Sequence, residues 1–431
     1  MTQRIEPALL WTGAAFVESM ALVLGDDGRI ESVEPATGQG QQWPERAVMP
    51  GFVNAHSHVF QRALRGSGER FPDGVGSFWT WRERMYALVS EMDQQRLHDV
   101  AVAAYREMRA CGMTTVGEFH YLHHIDEARG FEFDQVILDA AAVAGIRIVL
   151  LNAYYVSGGI GEPLSEKQQR FDASGHELFW EQMDALAVSV KDQPTAHLGA
   201  VIHSIRGGGA LTEMAQVARE AQSRGLVLHM HVEEQPAEIA SSLEIYGRTP
   251  MSILIELAGV GPRFTAVHCT HTAERDMDDF LQAGGTVCLC PLTEANLGDG
   301  LANIPFIIRH GGRICLGSDS NARIDMFEEM RLLEYGQRLN AQARGIIHDE
   351  HGHMAPLLMQ AATVNGAHSL GLPAGVLKPG RLADLASVDL THTQLANIEP
   401  GSLAEALITG CDGSVVADTC IHGVWQHERG P

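Results

Sequence analysis

The sequence predicts an α/β protein: a (β/α)8 TIM-like barrel over residues 50–369. It adds a small β-sandwich domain built from the N- and C-terminal segments, residues 1–49 and 370–431. Three observations carry this expectation. Short apolar runs recur eight times, each followed by a stretch of helical character. Both ends of the chain hold short strand-like segments with turn residues between them. The His, Asp and Glu residues that fit an apolar run least stand where those runs stop.

Taken in order, ALLWTG, AFVESMALVLGDDG and RIESVEP read as strands of the N-terminal segment, with a turn at Gly25–Gly28. The eight runs are AVMPGFVNAH, TTVGEFHY, IRIVLLNAYY, HLGAVIHSI, LVLHMHVE, FTAVHCTH, GTVCLCPL and RICLGSD. Between them lie amphipathic stretches such as RLHDVAVAAYREMRACG and LTEMAQVAREAQSRG. Strands joined through helices pair in parallel, and eight such units close into a barrel with the helices outside. RLADLASVDL, SVVADTC and IHGVWQHERG then return as strands, able to pair with the N-terminal ones.

The chain has 431 residues, 45% of them hydrophobic, enough for a barrel of ~250 residues and a smaller unit. Its N-terminus shows no basic start followed by an apolar run, and no apolar stretch reaches the ~18 residues of a membrane span. A cytoplasmic enzyme with no membrane partner is expected. The net charge of −23 disfavours nucleic acid and anionic surfaces. An anionic substrate would need arginines placed locally against that field. Seven Cys form an odd set without a CxxC pair, so reduced thiols are expected rather than disulfides.

Barrel enzymes carry their chemistry at the C-terminal ends of the strands. Strand 1 ends NAHSH, with His56 and His58 at i and i+2, about 7 Å apart on one face. Strand 5 ends in His229, His231 and Glu234, strand 6 in His268 and His271, and strand 8 in Asp319. Three imidazoles and a carboxylate from three strands suit one divalent ion per chain, Zn2+ first and Fe2+ as the alternative, and not Ca2+. The HDEHGH stretch at 348–353 has no strand before it and reads as a solvated face. Cys288 and Cys290 read as barrel packing, and nothing compels His123 or His124 to line the site.

PGFVNAHSH, HMHVEE, GSDS and the tail LKPGRLADLASVD resemble the amidohydrolase superfamily across essentially the whole chain. No Lys stands at the end of strand 4 to bridge two ions, which favours a mononuclear site. HSHVFQRALRG, FWTWRERMY, GEFHYLHH, HSIRG, HMHVEEQ and PLTEANLGDG resemble, within it, the formimidoylglutamate deiminases of histidine breakdown. That resemblance implies metal ligands His56, His58, His231 and Asp319, and catalytic roles for Glu234, His268 and Asp319. It implies Gln61, Arg82, Tyr121 and Arg206 as substrate-binding residues, and a homodimer. After GSDS the chain reads NARIDMFEE, where that family more usually continues with a His.

The implied reaction is N-formimino-L-glutamate plus water giving N-formyl-L-glutamate and ammonia. A bound Zn2+ would lower the pKa of its water to about 7. Asp319 would accept that water's proton, His268 would hydrogen-bond the tetrahedral centre, and Glu234 would protonate the departing nitrogen. Arg is shaped for carboxylates through its paired N–H donors, and the glycines at 207–209 suggest a loop able to approach a ligand. The rivals are a deaminase of a purine or other heterocyclic ring and a catalytically inactive barrel serving as a binding module. A ring would call for stacking aromatics and few arginines.

Overall fold

The computed structural model describes residues 2–71, 74, 76–126, 130–257 and 259–427. Five strands open the chain: β1 (Gln3–Trp11), β2 (Phe16–Val17), β3 (Met20–Leu24), β4 (Ile30–Pro35) and β5 (Gln41–Pro50). Eight follow in the barrel: β6 (Phe52–Ser57), β7 (Met113–His120), β8 (Arg147–Tyr154), β9 (Ala196–Ile202), β10 (Leu228–Val232), β11 (Phe264–His268), β12 (Thr286–Leu289) and β13 (Arg313–Leu316). β14 (Leu385–Asp389), β15 (Val416–Ile421) and β16 (Val424–His427) complete the set.

β6 to β13 pair in parallel, each with the next in sequence. Ser57 bridges Asp319 and closes the ring. Almost every residue in these strands is buried, as expected of a parallel sheet covered by helices. The covering helices show why they form. α1 (Phe78–Ser90) starts at Ser77, whose side chain accepts from the Thr80 N–H in a reciprocal capping box. α2 (Gln94–Ala110) starts at Asp93 and buries Leu97, Ala101, Ala104, Tyr105 and Met108, a stripe at helical spacing.

The terminal strands form one mixed sheet, ordered β16-β15-β14-β5-β1-β3-β4 with β2 on β1. N- and C-terminal segments meet where β14 runs antiparallel to β5. The sheet holds a small core of its own, including Ile5, Leu22, Val48, Leu385 and Cys420. The end of the IHGVWQHERG segment, residues 428–430, lies outside the described residues. Between β14 and β15 the chain leaves the sheet for helix Leu403–Gly410, which packs on helix Met326–Ala341 of the barrel.

AVMPGFVNAH, one run in the sequence, is two strands in two sheets. The break is Gly51, where a Cβ would lie 2.2 Å from the Thr114 side chain, so only glycine lets the chain cross from sheet to barrel there. Asp384 ties the same junction together. Its backbone carbonyl accepts from Gly51 N at 3.0 Å, and its carboxylate takes both Nε and Nη2 of the fully buried Arg147. This bidentate pair fixes the sheet to the barrel end opposite the candidate site.

Candidate active site and metal centre

Four donor atoms converge at the C-terminal mouth of the barrel. His58 Nε2 lies 3.3 Å from His231 Nε2, and His231 Nε2 lies 3.2 Å from His56 Nε2. Asp319 Oδ1 stands 3.4 Å from His56 Nε2 and 3.3 Å from His58 Nε2. The backbone enforces this meeting. Asp319 N donates to the His56 carbonyl and His58 N to the Asp319 carbonyl, while Asp319 itself adopts φ +45°. A non-glycine residue held there is strain of the kind found at functional sites.

The protonation states follow from the remaining contacts. His58 Nδ1 faces the Phe119 carbonyl at 2.7 Å, and His231 Nδ1 faces the His203 carbonyl at 2.9 Å. A carbonyl only accepts, so both Nδ1 atoms carry the proton and both Nε2 lone pairs point inward. Burial, with His56 beside it, pushes His58 down to about 3, and burial holds His231 well below its ordinary value. Burial opposes ionisation of Asp319, yet His56, His58 and His268 hold it well below the carboxylate range. Lone pairs and a carboxylate aimed at one point repel unless a cation lies between them. Separations of 3.2–3.4 Å match the edges of a tetrahedron around an ion about 2.0–2.1 Å from each ligand. The residues therefore fit a divalent metal ion.

His229 shares a strand face with His231 but binds the Ser369 carbonyl at 2.9 Å, away from the site. His120, His123 and Asp134 form a second cluster, and there both nitrogens of His123 are engaged, by Asp134 at 2.8 Å and the Ala153 carbonyl at 2.9 Å. His124 binds the Asp172 carbonyl, and neither His123 nor His124 lines the pocket. Cys288 and Cys290 pack with Ala55, Val267 and Cys315 in the barrel, and burial holds their thiols well above the ordinary range. The 348–353 stretch is a loop, in which Asp349 accepts from the His351 and His353 backbones.

Glu234 follows β10. Glu233 before it adopts φ +54° and turns its own carboxylate to Met251 N, which leaves Glu234 facing the mouth. Burial raises the Glu234 pKa, against the pull of His268 and Arg206. His268 Nε2 lies 3.8 Å from Glu234 Oε1 and 3.7 Å from Asp319 Oδ2. Its Nδ1 lies 3.3 Å from Glu294 Oε1, which also accepts from Cys290 N at 2.9 Å. Burial alone would lower the His268 pKa, but Glu234, Glu294 and Asp319 push it up to about 10.

A pocket opens over these groups and is lined by His58, Gln61, Arg82, Tyr121, Arg206, His231, Glu234, His268 and Asp319. Every site residue that the resemblance implies, except His56, reaches its wall. Gln61 Nε2 donates to Tyr121 Oη at 2.7 Å. Arg206 Nε binds Glu238 Oε2 at 3.2 Å, and its Nη2 lies 3.8 Å from Glu234 Oε2. Arg82 is partly buried, its guanidinium 5.3 Å from the Tyr86 ring centroid. Among the described residues no carboxylate pairs with it within 4.0 Å.

His203 also lines this pocket and was not singled out in the sequence, although it opens the quoted HSIRG motif. Trp81, Tyr86, Tyr155 and Phe171 join it as walls. Glu294 lies in the quoted PLTEANLGDG, but no spacing there reveals that it faces His268. The glycines after Arg206 serve a tight turn: a Cβ on Gly207 would lie 2.9 Å from the His203 ring, so they seat His203 rather than expose backbone to a ligand.

A parallel eight-stranded barrel with a His3Asp donor set at its mouth defines a metal-dependent hydrolase class, and the chain belongs to the amidohydrolase family, whose model matches residues 47–425. Within it, the chain is 35% identical over 428 residues to the formimidoylglutamate deiminase of Pseudomonas aeruginosa, covering 97% of this chain and 93% of that one. A 5-methylthioadenosine/S-adenosylhomocysteine deaminase of Halalkalibacterium halodurans is 27% identical over 401 residues, covering 91% of this chain and 82% of that one. The crystal structure of an amidohydrolase from Brucella melitensis superposes with a TM-score of 0.91 at 31% identity, over 99% of this chain and 95% of that one. No helix among the described residues is long and apolar enough to cross a membrane.

Proposed function

We propose that the protein hydrolyses N-formimino-L-glutamate to N-formyl-L-glutamate and ammonia, with His56, His58, His231 and Asp319 holding one zinc ion. The observation that carries this reading is the polarity of the pocket. Glu234 and Asp319 line it, with Glu294 behind His268. Arg206, whose Nη2 lies 3.8 Å from Glu234 Oε2, and the carboxylate-free Arg82 line it as well. A partly buried guanidinium without a carboxylate calls for an anion from the ligand. A cationic amidine facing the carboxylates and carboxylates facing the arginines describe one molecule. The similarity to the Pseudomonas aeruginosa deiminase supports the same substrate, and with it a place in histidine breakdown.

When bound, the ion supplies Lewis acidity that makes water nucleophilic at neutral pH. Asp319 keeps Oδ2 facing His268 and accepts the proton from the attacking water. His268 Nε2 donates to the developing tetrahedral centre. Glu234, its pKa raised by burial, holds the proton and delivers it to the departing nitrogen, so that ammonia rather than amide anion leaves. Gln61 and Tyr121 line the same pocket, and the arginines orient the substrate through paired N–H donors.

The aromatic walls favour a second reading, deamination of a heterocyclic ring. Two of these rings are already hydrogen-bonded: Tyr121 to Gln61 and Tyr155 to Gln168. A neutral ring would also leave Arg82 without an anion. Ammonia release from N-formimino-L-glutamate, aminopyrimidines and adenine nucleosides decides between them. Turnover of a ring compound in preference to the amidine would overturn the proposal.

A further inference from the structure

We infer that Trp79 is a specificity-determining positioning residue whose indole joins Arg82 and Arg206 into one dicarboxylate clamp. This inference rests on the anionic-substrate reading above. The two arginines come from distant parts of the barrel. Arg82 belongs to α1, inserted after β6, and Arg206 follows β9, so they belong to the first and fourth barrel strands. Two guanidiniums facing one pocket repel each other, and something must fix their separation.

Trp79 meets both. The Arg82 guanidinium carbon lies 5.6 Å from the Trp79 ring centroid, and that of Arg206 lies 6.0 Å from it. Tyr86 faces Arg82 alone at 5.3 Å, and Phe78 faces Arg206 alone at 5.8 Å. Trp79 is thus the one ring among the described residues within cation–π range of both. A guanidinium on a ring face keeps its in-plane N–H donors free, which is the arrangement a bidentate carboxylate requires. Glu238 takes Arg206 Nε at 3.2 Å and Glu234 lies 3.8 Å from Nη2, which leaves Nη1 for the ligand.

Trp79 does not itself line the reaction pocket, so it acts through the arginines. The residue is 43% exposed, and it sits in the first turn of α1, which the Ser77–Thr80 capping box holds. Replacing it therefore removes little core packing. A clamp with fixed spacing admits a substrate by the distance between its two carboxylates, not merely by its charge.

The test compares wild type, Trp79→Ala and Trp79→Phe on three amidines. They are N-formimino-L-glutamate, the formimino derivative of 4-aminobutyrate with one carboxylate, and N-butylformamidine with none. Trp79→Ala should raise KM for the dicarboxylate roughly five- to twentyfold with kcat within about twofold. Its preference for two carboxylates over one should fall by the same factor, turnover of the carboxylate-free amidine should not change, and Trp79→Phe should recover most of the loss. Unchanged preference in Trp79→Ala overturns the clamp while leaving the substrate reading intact. Parallel losses on all three amidines also overturn it, because they make Trp79 a support of the fold. A wild-type enzyme that does not prefer the dicarboxylate over N-butylformamidine overturns both readings together.

Discussion

His58 Nε2 stands 3.3 Å from Asp319 Oδ1 while its Nδ1 is committed to the Phe119 carbonyl, so the nitrogen facing the carboxylate has no proton to offer it. This pairing is unfavourable without a cation. The purified protein should therefore carry about one divalent ion per chain. Elemental analysis checks the ratio. Chelation should abolish turnover and lower the Tm, because the ion binds the folded site and not the unfolded chain. Two tightly held ions per chain would contradict the mononuclear set.

Glu234→Gln isolates the proton transfer. The amide keeps the shape of the side chain, and Glu234 is not among the converging metal donors. Metal content should survive while kcat falls by ~10²-fold or more. Loss of the ion along with activity would make Glu234 a ligand, and near-normal kcat would assign the proton to another group.

Asp134 tests how far the buried network behind the site contributes stability alone. Its carboxylate meets His123 Nδ1 at 2.8 Å, His120 Nε2 at 3.2 Å, Asn152 Nδ2 at 3.0 Å and Gln182 Nε2 at 3.1 Å. Burial opposes its ionisation, but His123 and the hydrogen bonds of His120 and His123 outweigh that and lower its pKa. A carboxyl whose pKa is lower when folded adds stability above its unfolded value of about 3.9, and loses it as pH falls toward the folded value. Asp134→Asn should cost about 3 kcal/mol at neutral pH, with activity per folded molecule retained. Unfolding curves at pH 7.5 and pH 4 should show the gap from wild type narrowing at the lower pH. A gap constant with pH would mean that shape, not charge, is what matters there.

Strand order was legible in the sequence because it follows a local rule: apolar runs alternate with helical ones. His and Asp closing those runs marked the donor candidates, and the choice among them came from the family resemblance. What lay beyond reach depends on neighbours across the barrel. His229 and His231 look equivalent at i and i+2, and only the Ser369 carbonyl and the His56 ring separate their roles. Glu294 matters because β12 lies beside β11, so its side chain meets His268 although 26 residues separate them. Gly51 hides a change of sheet inside one apolar run, since the clash with Thr114 that requires glycine comes from 63 residues away (114 − 51). His203 was readable only as part of a motif, with no spacing rule of its own.

Arg82→Met and Arg206→Met test the substrate, and the structure makes them unequal. Each charge-assisted contact to a substrate carboxylate is worth ~1.5–3 kcal/mol, so each change should lower kcat/KM for N-formimino-L-glutamate roughly ten- to a hundredfold or more. Neither should much affect a small amidine without carboxylates. Arg82 has no carboxylate partner among the described residues, so removing it strands no buried anion and should leave the Tm close to wild type. Arg206 is different. Its loss leaves the buried Glu238 without the cation that now lies 3.2 Å away, and removes a positive charge that lowers the Glu234 pKa. Arg206→Met should therefore lower the Tm as well, and should shift the pH profile of kcat upward with Glu234. Both amidines, both variants and the Tm need measuring at equal salt, because the chain's net charge of −23 repels the dicarboxylate alone. Equal losses on both amidines would assign the arginines to the fold. No loss on either would remove the anion from the substrate and favour the ring deaminase.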